Sequence, residues 1–227
     1  MRATILCYHK VGPAAEEGRR LNIEPARLES HVRYFVRRGN PVRRAMELAG
    51  PWPDGVVCFT FDDAYESALR HATEVMERQG ARGTFYAVVD KIGGSSDWDG
   101  SMARPLAALP LLLNAQAAGH EIGNHTLTHP HLDRLDLEAQ EREVLEADRR
   151  LREAGIVPGS FCYPYGDFDP HAESIVARQY QVGVALRKRH ATPHDPKSSL
   201  SRIVVAYSDS LPMLMYRLHV RPLLRRR

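Results

Sequence analysis

The sequence predicts an α/β domain built on a mainly parallel sheet, and three observations predict it. Short apolar, β-rich runs alternate with stretches of helical periodicity along the whole chain. The runs are too apolar to have a wet face, residues 56–61 reading VVCFTF, which suits strands covered on both sides. No linker, internal repeat or low-complexity stretch divides the 227 residues, so residues 1–227 read as a single domain ending in a short basic tail. This pattern does not separate a closed barrel from an open sheet. In both, chemistry gathers at the C-terminal ends of the strands.

Taken in order, residues 4–8 form the first strand. Residues 27–38 are helical, with Leu28, Val32, Phe35 and Val36 on one face and Gly39 placed to stop them. The strand 56–61 leads into a helix over 65–79, where Ala68, Leu69, Ala72, Val75 and Met76 recur at helical spacing before Gly80. Residues 84–89 are a buried-type strand, followed by a Gly/Ser/Asp loop, 93–100, that carries Trp98. A helix over 106–118 closes at Gly119, and 121–124 is a short strand. Residues 137–154 give the clearest helix, with Val144, Leu145 and Leu151 inward, a charged outer face and Gly155 at its end. Strand 160–163 enters a Pro-Gly turn, a helix covers 171–179, strands cover 182–185 and 203–206, and 211–218 reads as a terminal helix. Leu211, Met213 and Met215 on that last helix read as core or helix-face residues rather than a ligand site.

Composition narrows the class. Hydrophobic residues make up 43% and charged residues 26%, which excludes a disordered, collagen-like or coiled-coil chain. No apolar run approaches the ~18 residues that span a bilayer. The N-terminus lacks the apolar region and cleavage site of a signal peptide, so a cytoplasmic protein is expected. Cys7, Cys58 and Cys162 form no C-x-x-C pair and have apolar or aromatic neighbours, as reduced, buried thiols do. The net charge is +3, with Arg221, Arg225, Arg226 and Arg227 gathered at the C-terminus. A solvated tail is expected there, with membrane contact at most peripheral through residues 221–227. Without a basic stripe elsewhere, nucleic acid is not an expected partner. Nothing in the sequence sets an oligomeric state.

Three polar clusters follow predicted strands. Asp62 and Asp63, in Thr60-Phe61-Asp62-Asp63, are adjacent carboxylates at the end of an apolar strand, costly there without a partner. Capping of the following helix is the plainer reading of the pair. His125 and His129, in His125-Thr126-Leu127-Thr128-His129, share one face if the stretch turns helically, as a common metal ion needs. His131 then points elsewhere. Two imidazoles and one carboxylate make a three-ligand metal site with an open position, and the second aspartate is left as a base. The third cluster is Phe161-Cys162-Tyr163-Pro164-Tyr165-Gly166, a tight turn able to aim a backbone N–H at an oxyanion.

In this order and spacing, Thr60-Phe61-Asp62-Asp63, His125-Thr126-Leu127-Thr128-His129 and Tyr163-Pro164-Tyr165-Gly166 resemble the first three motifs of the NodB-type polysaccharide deacetylases, carbohydrate esterase family four. The resemblance runs from about residue 56 to residue 169, and more loosely over the whole chain. It implies a distorted (β/α)7 barrel and removal of N-acetyl groups from amino sugars with a divalent metal, usually Zn2+, with Co2+, Ni2+ or Mn2+ as alternatives. Carried over by motif, it implies that Asp63, His125 and His129 bind the metal, Asp62 is the general base and the Tyr165 amide receives the oxyanion.

Two departures follow. The family places its general acid, a histidine in L-x-x-H, near the C-terminus, where none occurs after Gly166. Leu6-Cys7-Tyr8-His9 supplies one at the first strand, an order that resembles the rearranged branch with the poly-N-acetylglucosamine deacetylases. His9 is therefore the expected acid, with His190 and His194 as rivals. The arginine that opens the third motif is replaced by Cys162, and Arg202 is the expected substitute partner for Asp62. Trp98, Tyr163 and Pro164 are the expected substrate contacts, Trp98 by stacking on a sugar ring. The expected substrate is an N-acetylated amino sugar in a glycan, oligosaccharide or glycolipid precursor. An amidohydrolase on a non-sugar C–N bond and a catalytically silent carbohydrate-binding relative are the alternatives.

Overall fold

The computed structural model describes residues 1–221, so the tail arginines Arg225, Arg226 and Arg227 lie outside the described residues. Among the described residues ten strands form: β1 Ala3–Tyr8, β2 Lys10–Val11, β3 Asn22–Ile23, β4 Val56–Phe61, β5 Thr84–Ala87, β6 Glu121–Asn124, β7 Ser160–Cys162, β8 Val182–Ala185, β9 Leu200–Ser201 and β10 Ile203–Val204. Seven α-helices accompany them among the same residues: α1 Ala14–Glu17, α2 Pro25–Arg37, α3 Glu66–Arg78, α4 Leu109–Ala117, α5 Leu137–Glu153, α6 Pro170–Gln179 and α7 Leu211–Met215.

Eight strands make one sheet in the order β10-β1-β4-β5-β6-β7-β8-β9, every pairing parallel. The two ends of that order, β9 and β10, are separated in the chain by Arg202 alone. One run of backbone thus pairs first with β8 and then with β1. The sheet closes into the distorted barrel, and the split last strand fills the seventh β/α position. β2 and β3 pair with each other in a small parallel ladder beside the barrel mouth.

Burial explains the strand sequences. Every residue of β1 and β4 is buried, because the outer helices cover one face and the barrel interior fills the other. Helix α5 starts where the Asp136 carboxylate accepts from Ala139 N at 2.8 Å, and it ends before Gly155 at φ 84°. Its inward stripe is Val144, Ala147 and Leu151; Leu145, expected inward, is 41% exposed.

The other departures are local. The strand expected over 84–89 stops at Ala87, where the chain turns into a short 3-10 helix at Val89–Lys91. The helix expected from 106 starts at Leu109, because Ala107 N donates to Ala64 O at 2.9 Å and holds that stretch extended. α7 runs on into a π-helix at Tyr216–Val220. Among the described residues, no helix is long and apolar enough to cross a membrane.

Candidate active site

The residues singled out from the sequence meet at the C-terminal ends of the parallel strands. His9 follows β1, Asp62 and Asp63 follow β4, His125 follows β6, the Tyr163–Gly166 turn follows β7, and Arg202 lies between β9 and β10. Unusual backbone concentrates at the same place. Asp63, Ala64, Thr126, His129 and Tyr165 all have φ between 50° and 69°, a strained region for residues with a Cβ.

Asp63 Oδ1 lies 3.3 Å from His125 Nε2 and 3.3 Å from His129 Nε2, all three side chains being buried. That oxygen has no hydrogen-bond partner among the described residues. His125 Nδ1 meets the Cys162 carbonyl at 2.8 Å. A carbonyl only accepts, so Nδ1 carries the proton and the Nε2 lone pair faces Asp63. Burial lowers the His129 pKa, with Asp63 opposing, which favours a neutral ring with a lone pair to give. Burial opposes the charge on Asp63, yet the facing imidazoles hold its carboxyl well below the usual range. One carboxylate oxygen and two imidazole nitrogens around an unsatisfied point form the donor set of a three-ligand zinc-type site. The residues present fit a divalent ion.

The histidines do not converge by a helical turn, as the spacing suggested. Residues 125–131 form no helix, and Thr126 and His129 adopt φ 69° and 68°. Side chains from both flanks shape this loop. Asn124 Oδ1 accepts from Thr126 N at 2.7 Å, and Thr126 Oγ1 accepts from His129 N at 3.0 Å. The Glu143 carboxylate, from α5, accepts from Leu127 N at 3.0 Å, Thr128 N at 2.8 Å and the Thr128 hydroxyl at 2.7 Å. Sequence reasoning missed Glu143. The one signal was a glutamate beside the inward stripe of a helix.

Asp62 points away from Asp63, toward Arg202. The guanidinium donates through both terminal nitrogens, at 2.5 Å to Oδ1 and 2.7 Å to Oδ2, and also to the Thr60 hydroxyl at 3.0 Å and Cys162 Sγ at 3.0 Å. The Cys7 thiol donates to Asp62 Oδ2 at 3.3 Å. Burial by itself raises the Asp62 pKa, but the charge and hydrogen bonds of Arg202 outweigh it and hold the carboxyl at about 2. Cys162, at the motif position where an arginine was expected, thus lies against the guanidinium that another strand supplies. All three cysteines are buried and free.

His9 is half-buried, and its Nδ1 has no partner among the described residues. A ring nitrogen of His9, a carboxylate oxygen of Asp62 and Cys7 Sγ all lie within 4.8 Å of one another. The rival His190 lies at the other end of the barrel, with Nδ1 3.0 Å from the hydroxyl of Thr4 near the start of β1. His194 is exposed on a loop.

The turn after β7 closes with Gly166 N donating to Tyr163 O at 3.0 Å and Asp167 N to Pro164 O at 3.2 Å. Tyr165, at φ 60°, lies between these bonds, its N–H outside them and its ring 4.7 Å from that of His129. Tyr163 and Pro164 do not present the substrate surface expected of them. Tyr163 is fully buried, stacked on Phe168 at 4.4 Å with its hydroxyl donating to Ser198 O at 2.9 Å, and Pro164 is buried beside it. Both build the turn. Trp98 stacks on His129 at 4.3 Å and packs partly into the core, so its loop folds against the body. His131 stacks flat on Tyr165 at 3.9 Å.

A closed parallel barrel with a two-histidine, one-aspartate set and a second carboxylate at its strand ends defines an α/β barrel with a candidate mononuclear metal centre. The polysaccharide deacetylase pattern matches residues 49–184, and the chain belongs to that family. A chitooligosaccharide deacetylase of Bradyrhizobium sp. is 33% identical over 97 residues, 41% of this chain and 43% of that protein. The matches to the curated relatives cover less than half of those proteins' length. The fold is shared with the Streptococcus pyogenes deacetylase PplD solved with acetate, at TM-score 0.82 and 20% identity over 96% of this chain and 99% of that one. It is shared too with IcaB from Ammonifex degensii, at TM-score 0.74 and 24% identity over 94% and 95%.

Proposed function

We propose that this chain is a metal-dependent hydrolase that removes N-acetyl groups from an amino-sugar-containing glycan, oligosaccharide or glycolipid precursor. The observation that carries the reading is the pairing of two unlike carboxylates. Asp63 faces two imidazoles around an unsatisfied oxygen, while Asp62, one residue away, is gripped by Arg202. Capping accounts for neither, because the N-terminus of α3 has no side-chain cap.

In this reading Asp63, His125 and His129 hold a divalent ion, Zn2+ fitting the mixed nitrogen and oxygen donors. When bound, the ion supplies Lewis acidity toward an acetamide carbonyl and an attacking water. Asp62, kept ionised and oriented by Arg202, takes the proton of that water. The Tyr165 N–H, left outside its turn's hydrogen bonds, donates to the oxyanion. His9 gives a proton to the departing nitrogen as the C–N bond breaks, so the products are acetate and a free amine. Arg202 touches no reacting atom and acts as a positioning residue. The chitooligosaccharide relative supports an amino-sugar substrate.

The test is acetate release from N-acetylglucosamine oligomers, with and without added zinc, for the wild type, Asp62→Asn and His9→Ala. We expect zinc-restored turnover, reduced at least about 100-fold in each variant. Bound zinc with no acetate from any oligomer points to another amide. Failure to bind zinc overturns the reading.

A further inference from the structure

We propose that the barrel carries a second site, for a phosphoryl anion, at the N-terminal ends of β1 and β4. This is the opposite end from the candidate active site. A cavity of about 200 Å³ opens there, and its lining includes Arg2, Thr4, Tyr34, Arg38 and His219. A more open hollow of about 270 Å³ shares Tyr34 and Arg38 with it and adds Arg33 and Arg37. Three of the four arginines lie within residues 33–38 at the end of α2, and Arg2 joins them because β1 starts beside that end.

The charge in this groove is unbalanced. Among the described residues, only Asp54 brings a carboxylate to the lining, and it accepts from the backbone N–H of Arg2 at 2.7 Å. Arg33 faces Glu29 at 3.9 Å, whereas the side chains of Arg2, Arg37 and Arg38 meet no carboxylate within 4.0 Å among the described residues. Arg38 lies over the Tyr34 ring at 5.6 Å, which leaves its edge donors for another partner. His190 forms the inner wall. Its Nε2 donates to Leu218 O at 3.1 Å and its Nδ1 lies 3.0 Å from Thr4 Oγ1, so it is consumed structurally and contributes no donor. His219 stacks over it at 6.4 Å. Burial first, then the charges of Arg2 and Arg38, lower the His219 pKa, a sign of positive potential in the groove.

Guanidinium groups that face a concave space without counter-charge favour a compact anion. Their fork matches the oxygens of a phosphoryl group and donates two bonds at once. Free phosphate, pyrophosphate and an anionic lipid headgroup all present this group, and the recognition chemistry is the same. β1 spans six residues, about 20 Å, so this site is separate from Asp62 and its occupancy does not depend on the deacetylase reading.

The test is thermal unfolding in inorganic phosphate or pyrophosphate against sodium chloride at matched ionic strength, together with flotation on phosphatidylglycerol and phosphatidylcholine vesicles. We expect phosphate or pyrophosphate to raise Tm by several degrees beyond chloride, and the Arg2→Gln/Arg38→Gln double variant to lose that increment with acetate release unchanged. Both side chains are exposed, so the variant is expected to fold. Flotation on phosphatidylglycerol alone, lost in the same variant, supports the site with the lipid headgroup as its source. A wild type that distinguishes neither phosphate from chloride nor the two vesicles overturns it, as does a response that the double variant keeps.

Discussion

The Asp62–Arg202 pair is a costly polar contact to break. Both side chains are buried, and the guanidinium is fully so. Removing one partner leaves a bare charge in the barrel, at a cost of about 3–5 kcal/mol. Arg202→Met is therefore expected to lower stability by that amount, and adding Asp62→Asn to recover part of it, a coupling that urea unfolding of the four proteins in the cycle measures. Additive losses would show that the pair contributes nothing as a pair. At this scale legibility was uneven. The two aspartates and two histidines stand in short motifs, so their type and spacing marked them in the sequence. Arg202 has no motif and was legible only through the arginine missing at Cys162. Glu143 left only its place beside the inward stripe as a signal, because an acidic residue on a charged helix looks like any solvated one until the loop above it is seen.

At the scale of elements, the loop after β6 depends on α5. Glu143 accepts three hydrogen bonds from Leu127 and Thr128, which holds Thr126 and His129 in their left-handed conformations. Glu143→Ala removes both bonds to Thr128, leaves Leu127 N only its 3.1 Å bond to the backbone carbonyl of residue 143 and loosens His129, so zinc affinity is expected to fall about 10–100-fold while the fold survives. Isothermal titration with zinc reads this, and unchanged affinity would remove Glu143 from the account. The i, i+4 spacing of the histidines was a sound clue to convergence but gave the wrong geometry, since side-chain hydrogen bonds bent the loop where periodicity implied a helical turn.

The contact between α2 and β1 carries a second element-scale expectation. His31, on the buried face of α2, meets the Tyr8 hydroxyl through Nδ1 at 3.1 Å, and burial pushes its pKa down to about 4. The unfolded histidine titrates near 6.5. Between these values the unfolded chain binds the extra proton, so stability is complete above about pH 6.5 and falls as pH drops toward 4. The shift corresponds to about 3 kcal/mol. His31→Gln is expected to flatten this part of the stability-against-pH curve, measured by urea unfolding from pH 7 to 4. A variant curve parallel to the wild type would assign the acid loss to other groups.

Over the whole molecule, alternation of strands and helices was enough to predict the parallel sheet, but it did not show closure, which only the motif resemblance implied. Closure depends on a two-residue strand, a single arginine and another two-residue strand, too short to leave a period in the sequence. The expected last strand over 203–206 therefore missed β9 and with it the seam. Closure also decides how the proposed metal centre couples to folding. Its three side chains come from the ends of β4 and β6, which are not adjacent in the sheet but lie on either side of β5. An ion held by Asp63, His125 and His129 ties these strand ends together in the folded chain and has no comparable site in the unfolded one. Binding is then folding free energy, about 2.7 kcal/mol when free zinc is 100-fold above its dissociation constant. Zinc is expected to raise Tm in the wild type, a chelator to reverse the rise, and Asp63→Asn to abolish it without loss of the fold. Scanning calorimetry measures all three. A Tm that ignores zinc while the histidines remain intact would mean that the strained loop carries its backbone strain for some purpose other than a metal.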